Sequence, residues 1–192
     1  AIFQFINIIL SRVEGPEAVT QYNIAYKYFN VLNMVFVIVL TPFWSAFTDA
    51  YVKKDYNWMS GIVKKLEFLW LLCIPILILM VLCSNFFYQW WVGNSVSISF
   101  SLSICMAVFM FFYTSANLYM ILINGTSMVC LQLIINVCFA IISLPCICLF
   151  CRLWGVQGAL LIPTVTLAVL TLIGKIQIMK IVNNRATGIW QR

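Results

Sequence analysis

A lysine stands deep inside a long apolar segment. Lys27 lies ten residues after Glu17, and ten residues of helix span about 15 Å, which is half of the hydrocarbon core of a bilayer. A charge at that depth costs at least about 2.5–3.5 kcal/mol on insertion scales. Snorkelling to the surface is the alternative, but a lysine side chain does not readily reach that far. We therefore predict that Lys27 meets water, a partner or a ligand rather than lipid.

Polar side chains accompany Lys27 along the same predicted helix. At 100° per residue, Asn33 and Tyr26 lie at the margin of a polar face formed by Thr20, Asn23, Lys27, Asn30, Thr41, Ser45 and Thr48. We expect an opposite, apolar face of the type Val31, Val35, Ile38 and Val39. Hydrogen bonding between helices uses the same polar residue types, but a stripe of this length with an ammonium group favours a surface that faces water or a polar substrate.

Three later segments repeat the polar pattern more weakly. Their aligned residues are Ser103, Met106, Met110, Asn117 and Asn124, then Gln132, Asn136 and Ser143, then Gln157, Thr164, Thr171 and Lys175. Each set alone is typical of helix packing. Together they predict one shared polar lumen, and the predicted substrate-binding residues are Lys27, Asn23, Asn30, Thr20, Asn117, Gln132 and Asn136.

A run of charges follows the polar stripe. Asp49 and Asp55 flank Lys53 and Lys54. The simplest interpretation is a solvated charged segment at a membrane surface. The alternative is a gate that Asp49 and Lys53 form at one end of a transport path.

The residues for several kinds of chemistry are missing from the sequence. It has no histidine, no glycine-rich phosphate loop and no G-x-S-x-G motif, and its carboxylates are expected in loops or at helix ends. The eight cysteines include the close set Cys146, Cys148 and Cys151, which we interpret as small apolar side chains rather than a metal site. We predict a protein that is not an enzyme and needs no metal or cofactor.

The composition indicates that the solvent around most of the chain is lipid. Hydrophobic residues make up 64% of the 192 residues and charged residues only 8%, against about a quarter charged in soluble domains. The net charge of +6 comes from basic residues between apolar segments, which is typical of membrane topology, so we do not expect nucleic acid as a partner.

The apolar segments predict an all-α polytopic bundle. About five full spans are expected near residues 17–48, 68–91, 97–123, 129–151 and 155–182, because each has the twenty or so residues that a crossing needs. The run Ala1–Leu10 would cross only about half of a bilayer, so we interpret it as a truncated helix of a longer protein. Residues 11–182 then form one transmembrane lobe, and residues 183–192 form a tail.

The distribution of basic residues predicts the orientation of the bundle. Lysine and arginine concentrate in alternate connections, at Lys53, Lys54, Lys64 and Lys65 and again from Lys175 to Arg192. The other connections hold only Arg12 and Arg152. By the positive-inside rule, the carboxy terminus is cytoplasmic and the turn at Gly15-Pro16 lies outside.

Three segments carry a resemblance to a known family. They are Gly15 to Phe29 (GPEAVTQYNIAYKYF), Thr41 to Asp55 (TPFWSAFTDAYVKKD) and, more weakly, Asn124-Gly125 followed by Leu131-Gln132-Leu133. They resemble bacterial O-antigen flippases of the Wzx type, within the multidrug/oligosaccharidyl-lipid/polysaccharide exporter superfamily. The likeness covers the whole chain, from the end of helix seven through helix twelve of such a protein. The connection after Asn124 departs from the family in having no basic residue.

The resemblance implies the carboxy-terminal lobe of a two-lobe transporter of the bacterial inner membrane. Its implied substrate is an undecaprenyl-diphosphate oligosaccharide, moved by alternating access. The implied partners are membrane lipids, a missing amino-terminal lobe and a glycan polymerase. Two alternatives stay open, namely a cation-coupled drug antiporter of the same superfamily, which would need an acidic residue in the membrane, and a membrane enzyme of glycan assembly.

Overall fold

The fold is a bundle of helices. The computed structural model describes residues 2–93 and 96–191. In chain order the elements are α1 (Ile2–Val13), α2 (Pro16–Val52), α3 (Tyr56–Leu71), α4 (Cys73–Val92), α5 (Phe100–Thr126), α6 (Cys130–Val182) and a 3₁₀ turn (Gly188–Gln191). No strand occurs within these two ranges, and the predicted all-α fold is confirmed.

Within the described residues, four helical stretches are long and apolar enough to cross a membrane. They are Pro16–Val52, Tyr56–Val92, Phe100–Thr126 and Pro145–Val182, the last of which contains the turn at Gly155 described below, and Cys130–Ser143 is a shorter apolar helix. These lengths and compositions confirm the expected multi-pass membrane bundle.

The longest uninterrupted helix, α2, has a start that its sequence explains. Gly15 adopts φ 94°, a conformation that residues other than glycine rarely adopt. Pro16 occupies the first helical turn, where the N–H that proline lacks would have no partner within the helix. The helix then continues for 37 residues, about 55 Å, and therefore exceeds the hydrocarbon core.

Most of the charged stretch between the first two predicted spans is helical. Asp55 caps α3 by accepting a hydrogen bond from the backbone N–H of Trp58 at 3.0 Å, as capping residues do. α3 and α4 meet at Leu72, which keeps a helical conformation. Pro75 has no N–H to donate to the carbonyl of Leu71, which accounts for the interruption at this point.

The last helix, α6, is a hairpin. Trp154 and Gly155 leave the helical conformation, with φ 60° at Gly155. A Cβ atom added to Gly158 would lie 1.9 Å from the carbonyl oxygen of Phe150, although residues eight apart in a straight helix are separated by about 12 Å. The first arm (130–153) and the second arm (156–182) therefore run antiparallel.

α5 occupies the middle of the bundle. It packs mainly against α2 and α6 and also against α4. Two apolar clusters lie along it: one contains Tyr22, Phe29, Met106 and Met110, and the other contains Phe36, Leu40, Leu118 and Leu122.

The two ends of the bundle differ in charge. The second cluster joins Ala50 of α2, Met59 of α3 and Val182 of α6, so the end of α2, the start of α3 and the end of α6 lie together. We call this the basic end, because it carries Lys53, Lys54, Lys64, Lys65, Lys175, Lys180 and Arg185. At the opposite end Gly155 lies beside the carboxylate of Glu14.

The close approach at Gly158 gives the first testable prediction. The Gly158→Ala substitution places a methyl group against the backbone of Phe150 and should destabilise the protein by about 1–3 kcal/mol, the range for overpacking. The measurement is thermal unfolding in detergent, followed by tryptophan fluorescence. Gly61→Ala is the matched control, because a Cβ there meets nothing within 4 Å. Equal unfolding temperatures for the two variants would contradict the hairpin.

Candidate functional site

The exposed face of α2 carries Lys27. The face packed into the bundle consists of aromatic and apolar side chains, which are Tyr22, Ala25, Phe29, Phe36 and Leu40. Lys27 is exposed, so it lies on the side of α2 that points away from α5. The ammonium is thus free to contact water, a ligand or another chain segment outside the described residues.

One expectation about α2 is wrong. Val31 and Ile38, predicted on the opposite face, are 56% and 71% exposed and lie about 40° and 20° around the helix from Lys27. Val35 and Val39 are exposed as well. The outer face of α2 is therefore mixed: it is polar from Thr20 to Asn30, apolar from Val31 to Val39, and polar again from Thr41 to Asp49.

Lys27 has no charged partner among the residues that the structure describes. The ion pairs found there are Lys53–Asp49 and Lys175–Glu67. If the hydrocarbon core begins near Glu17, the ammonium lies about 15 Å inside it, which is farther than a lysine side chain readily reaches to a flat membrane surface. Its charge requires compensation from water, from another chain segment or from a ligand.

A chain of amides connects the Lys27 face to α5. The amide nitrogen of Asn117 donates to Asn33 Oδ1 at 2.9 Å, and the amide nitrogen of Asn33 donates to Asn30 Oδ1 at 3.3 Å. The structure thus brings the predicted site residues Asn30 and Asn117 together through Asn33, which is buried. The amide nitrogen of Asn30 has no acceptor among the described residues and lies one turn from Lys27.

The other polar groups near Lys27 have their donors engaged. Asn23 donates to the carbonyl of Val19 at 2.9 Å and accepts from Asn7 of α1 at 3.5 Å. The hydroxyls of Thr20, Thr41, Ser45 and Thr48 donate to carbonyls of their own helix, as membrane-helix hydroxyls commonly do. Towards a ligand these hydroxyl oxygens are therefore acceptors.

The remaining predicted binding residues lie on α6. Gln132 and Asn136 line a shallow surface groove with Val129, Leu133, Val137 and Ala140. The hydrogen bond between them stays within one helix, from the amide nitrogen of Asn136 to the carbonyl of Gln132 at 2.8 Å.

The predicted shared polar lumen is wrong for several of its members. Ser103, Met106, Met110, Ser143 and Thr171 are buried. Ser103 pairs with Tyr88 at 3.2 Å and Thr171 with Ser115 at 2.6 Å. These hydroxyl groups hydrogen-bond to one another between packed helices. This is the role that the alternative interpretation, polar residues as contacts between helices, predicted for them.

The predicted gate residues form a surface ion pair. Lys53 Nζ lies 2.7 Å from Asp49 Oδ2, with both side chains about two-thirds exposed (68% and 64%). Such a pair at i, i+4 contributes about 0.3–0.5 kcal/mol. Asp49 also borders a groove with Thr41, Trp44, Ser45, Thr48 and Val52, and a gating role stays a prediction.

A carboxylate that the sequence placed in a loop or at a helix end lies inside a helix. Glu67 belongs to α3, within the apolar stretch Tyr56–Val92. Its Oε1 accepts a hydrogen bond from the hydroxyl of Tyr119 at 2.6 Å, and the Lys175 ammonium lies 3.3 Å from the carboxylate. The spacing of Met59, Val63 and Leu66, which are buried, was the signal of an amphipathic helix in this stretch.

Metal ligands do not converge in the described ranges. No group of three or more cysteine, aspartate or glutamate side chains lies close enough there to hold an ion. The cysteines described in the structure are free thiols.

Comparison with known proteins finds no protein similar to this chain. No family model, no curated protein and no solved structure matches the chain. The resemblance to flippases therefore stays a prediction, and the functional argument depends on the residues of α2 and their surroundings.

The amide chain between α2 and α5 gives the second prediction. Asn117→Ala leaves the buried Asn33 without its donor and should lower the free energy of unfolding by about 1–3 kcal/mol. Replacing both residues by leucine should recover most of that loss, because no polar group is then left unpaired. The measurement is again thermal unfolding in detergent.

Asn136→Ala is the control for this series. Asn136 is exposed and bonds only its own helix, so its loss should change stability by less than about 0.5 kcal/mol. If Asn117→Ala is as mild as this control, the interhelical amide contact does not exist as described.

Proposed function

We propose that this chain is one lobe of a membrane transporter that moves an anionic, hydroxyl-rich lipid-linked oligosaccharide. The observation that carries the proposal is the exposed Lys27 ammonium, which lies about 15 Å along a membrane-length helix without a charged partner among the described residues. An uncompensated cation at that depth needs an anion or water beside it.

The groups around Lys27 fit an anionic head group. An ammonium attracts phosphate oxygens through charge-assisted hydrogen bonds, and the free amide nitrogen of Asn30 is a second donor one turn away. The hydroxyl oxygens of Thr20, Thr41, Ser45 and Thr48 accept hydrogen bonds from sugar hydroxyls. A glycan that leaves water needs such replacements for its hydration shell.

The apolar middle of the α2 face fits the lipid part of the same substrate. Val31, Met34, Val35 and Ile38 are exposed between two polar regions. A purely polar solute gains nothing from that surface, whereas an amphiphile contacts both kinds of region. This mixed character supports a lipid-linked substrate over a free sugar.

The setting that we infer is the bacterial inner membrane. The basic end of the bundle would face the cytoplasm, which makes the carboxy terminus cytoplasmic. A second lobe would face the outer surface of α2 and enclose the path, and a glycan polymerase would receive the product outside.

Glu67 favours a second candidate function. A cation-coupled antiporter of the same superfamily needs an acidic residue in its membrane region, and Glu67 lies within an apolar stretch of membrane length. However, Lys175 and Tyr119 already engage this carboxylate, so a transported cation would first have to displace an ammonium. The first candidate therefore has the stronger support.

Substitution of Lys27 tests the proposal. Lys27→Ala removes a charge-assisted contact worth about 1.5–3 kcal/mol, so transport of the lipid-linked oligosaccharide should fall by about ten- to hundredfold. The measurement is the translocation of a fluorescent undecaprenyl-diphosphate oligosaccharide in proteoliposomes with matched protein content.

Two variants serve as controls. Lys27→Arg keeps the charge and should retain most of the transport, and Lys64→Ala removes an exposed lysine from the basic end and should have little effect. Wild-type transport by Lys27→Ala, or equal losses in Lys27→Ala and Lys64→Ala, would refute the assignment of Lys27.

A further inference from the structure

A pocket at the basic end combines cations with an apolar wall. It has a volume of about 460 Å³ and is formed by the last turns of α6 and the segment after them. Its lining residues are Leu172, Lys175, Ile176, Met179, Lys180, Asn183 and Arg185. It lies on another helix than Lys27, and its residues Lys180, Asn183 and Arg185 are not among those assigned to the transport path.

The pocket is divided along the axis of α6. Leu172, Ile176 and Met179 recur at helical spacing and are exposed, so they form an apolar strip, which Lys175 interrupts, on the part of α6 nearer the membrane interior. Lys180, Asn183 and Arg185 follow at the end of the helix, where the chain leaves the apolar region. A ligand in this pocket would meet hydrocarbon on one side and positive charge on the other.

Local contacts hold the cations at the mouth of the pocket. The Lys180 ammonium lies 3.8 Å from the ring centroid of Trp190, in the range of a cation–π interaction. The backbone N–H of Arg185 donates to the carbonyl of Lys180 at 2.8 Å, and Asn184 turns the chain with φ 53°. Arg185 is therefore folded back towards the last turn of α6.

The pocket carries an excess of positive charge. Lys175 is paired with Glu67, which cancels one charge. Lys180 and Arg185 have no carboxylate partner within the part of the chain that the structure describes. Two cations and the Asn183 amide are therefore left to bind an anion.

We propose that this pocket binds an anionic phospholipid of the surrounding bilayer. The phosphate contacts Lys180, Arg185 and Asn183, and an acyl chain lies along Leu172, Ile176 and Met179. A basic site at the end of a membrane helix suits such a head group. The apolar strip favours a lipid over a soluble phosphate, because only a lipid contacts both the cations and Leu172, Ile176 and Met179.

The binding of phosphatidylglycerol to the purified protein tests the proposal. The protein in detergent is titrated with phosphatidylglycerol or phosphatidylcholine, and bound lipid is counted by native mass spectrometry. Phosphatidylglycerol should bind more tightly than phosphatidylcholine. Lys180→Gln/Arg185→Gln should weaken phosphatidylglycerol binding by at least about tenfold, since each basic residue near a membrane surface contributes about fivefold in affinity.

Lys64→Gln/Lys65→Gln is the matched control. It removes the same charge from exposed positions of α3 at the same end of the bundle and should leave binding unchanged. The single variant Arg185→Gln should weaken binding several-fold. Because Arg185 follows the end of α6, this substitution tests the pocket even if the double variant does not fold.

Three results would overturn the proposal. Equal binding of phosphatidylcholine would show a merely apolar groove, and equal losses in the two double variants would show a general effect of surface charge. Displacement of phosphatidylglycerol by millimolar inorganic phosphate would show that a soluble anion is the ligand. The proposal does not depend on the transport function, and loss of transport in Lys27→Ala would leave it unaffected.

Discussion

A single ammonium group imposes the strongest constraint on this molecule. Placing a charge in the middle of a bilayer costs at least about 2.5–3.5 kcal/mol, against a net folding stability of about 5–15 kcal/mol for a whole domain. The outer face of α2 nevertheless carries Lys27 without an ionic partner among the described residues. We therefore infer that the exposed side of this helix meets water, protein or a ligand in the membrane.

Two lysines that lie within long apolar helices have different surroundings. Lys175 is neutralised by Glu67, which also accepts a hydrogen bond from Tyr119, so three helices share one compensated cluster. Lys27 has no ion pair among the described residues, and the Asn30 amide and the Thr20 hydroxyl oxygen lie on its side of α2. The contrast supports a structural role for the first lysine and a ligand-directed role for the second.

The sequence predicts the architecture well because its signals are local. The lengths of the apolar runs indicate a multi-pass bundle, and the turn around Gly15-Pro16 is evident from residue types alone. The burial of one face of α2 was harder to predict, because polar residues recur around Lys27 while Val31 and Ile38 share that side. Only the packing of Tyr22 and Phe29 against α5 decides which face is inside.

The candidate site is predictable only in part, because several of its contacts join distant segments. Asn33 and Asn117 are 84 residues apart, and Glu67 and Lys175 are 108 apart. Helical periodicity places each residue on a face of its own helix but does not say which faces meet. Lys27 was identified from the sequence because a charge within a long apolar run is costly, whichever faces of the helices meet.

The water accessibility of position 27 tests the central claim most directly. Cysteine is introduced at position 27, or at Leu79 as an exposed apolar position of α4, in a variant whose native cysteines are replaced by serine or alanine. Both proteins are then treated in native membranes with a membrane-impermeant maleimide. Labelling at position 27 well above that at position 79 is the result that we predict. Equal, negligible labelling at both positions, with the membrane intact or opened to expose its other side, would mean that the α2 face meets lipid or protein and that no aqueous passage exists there.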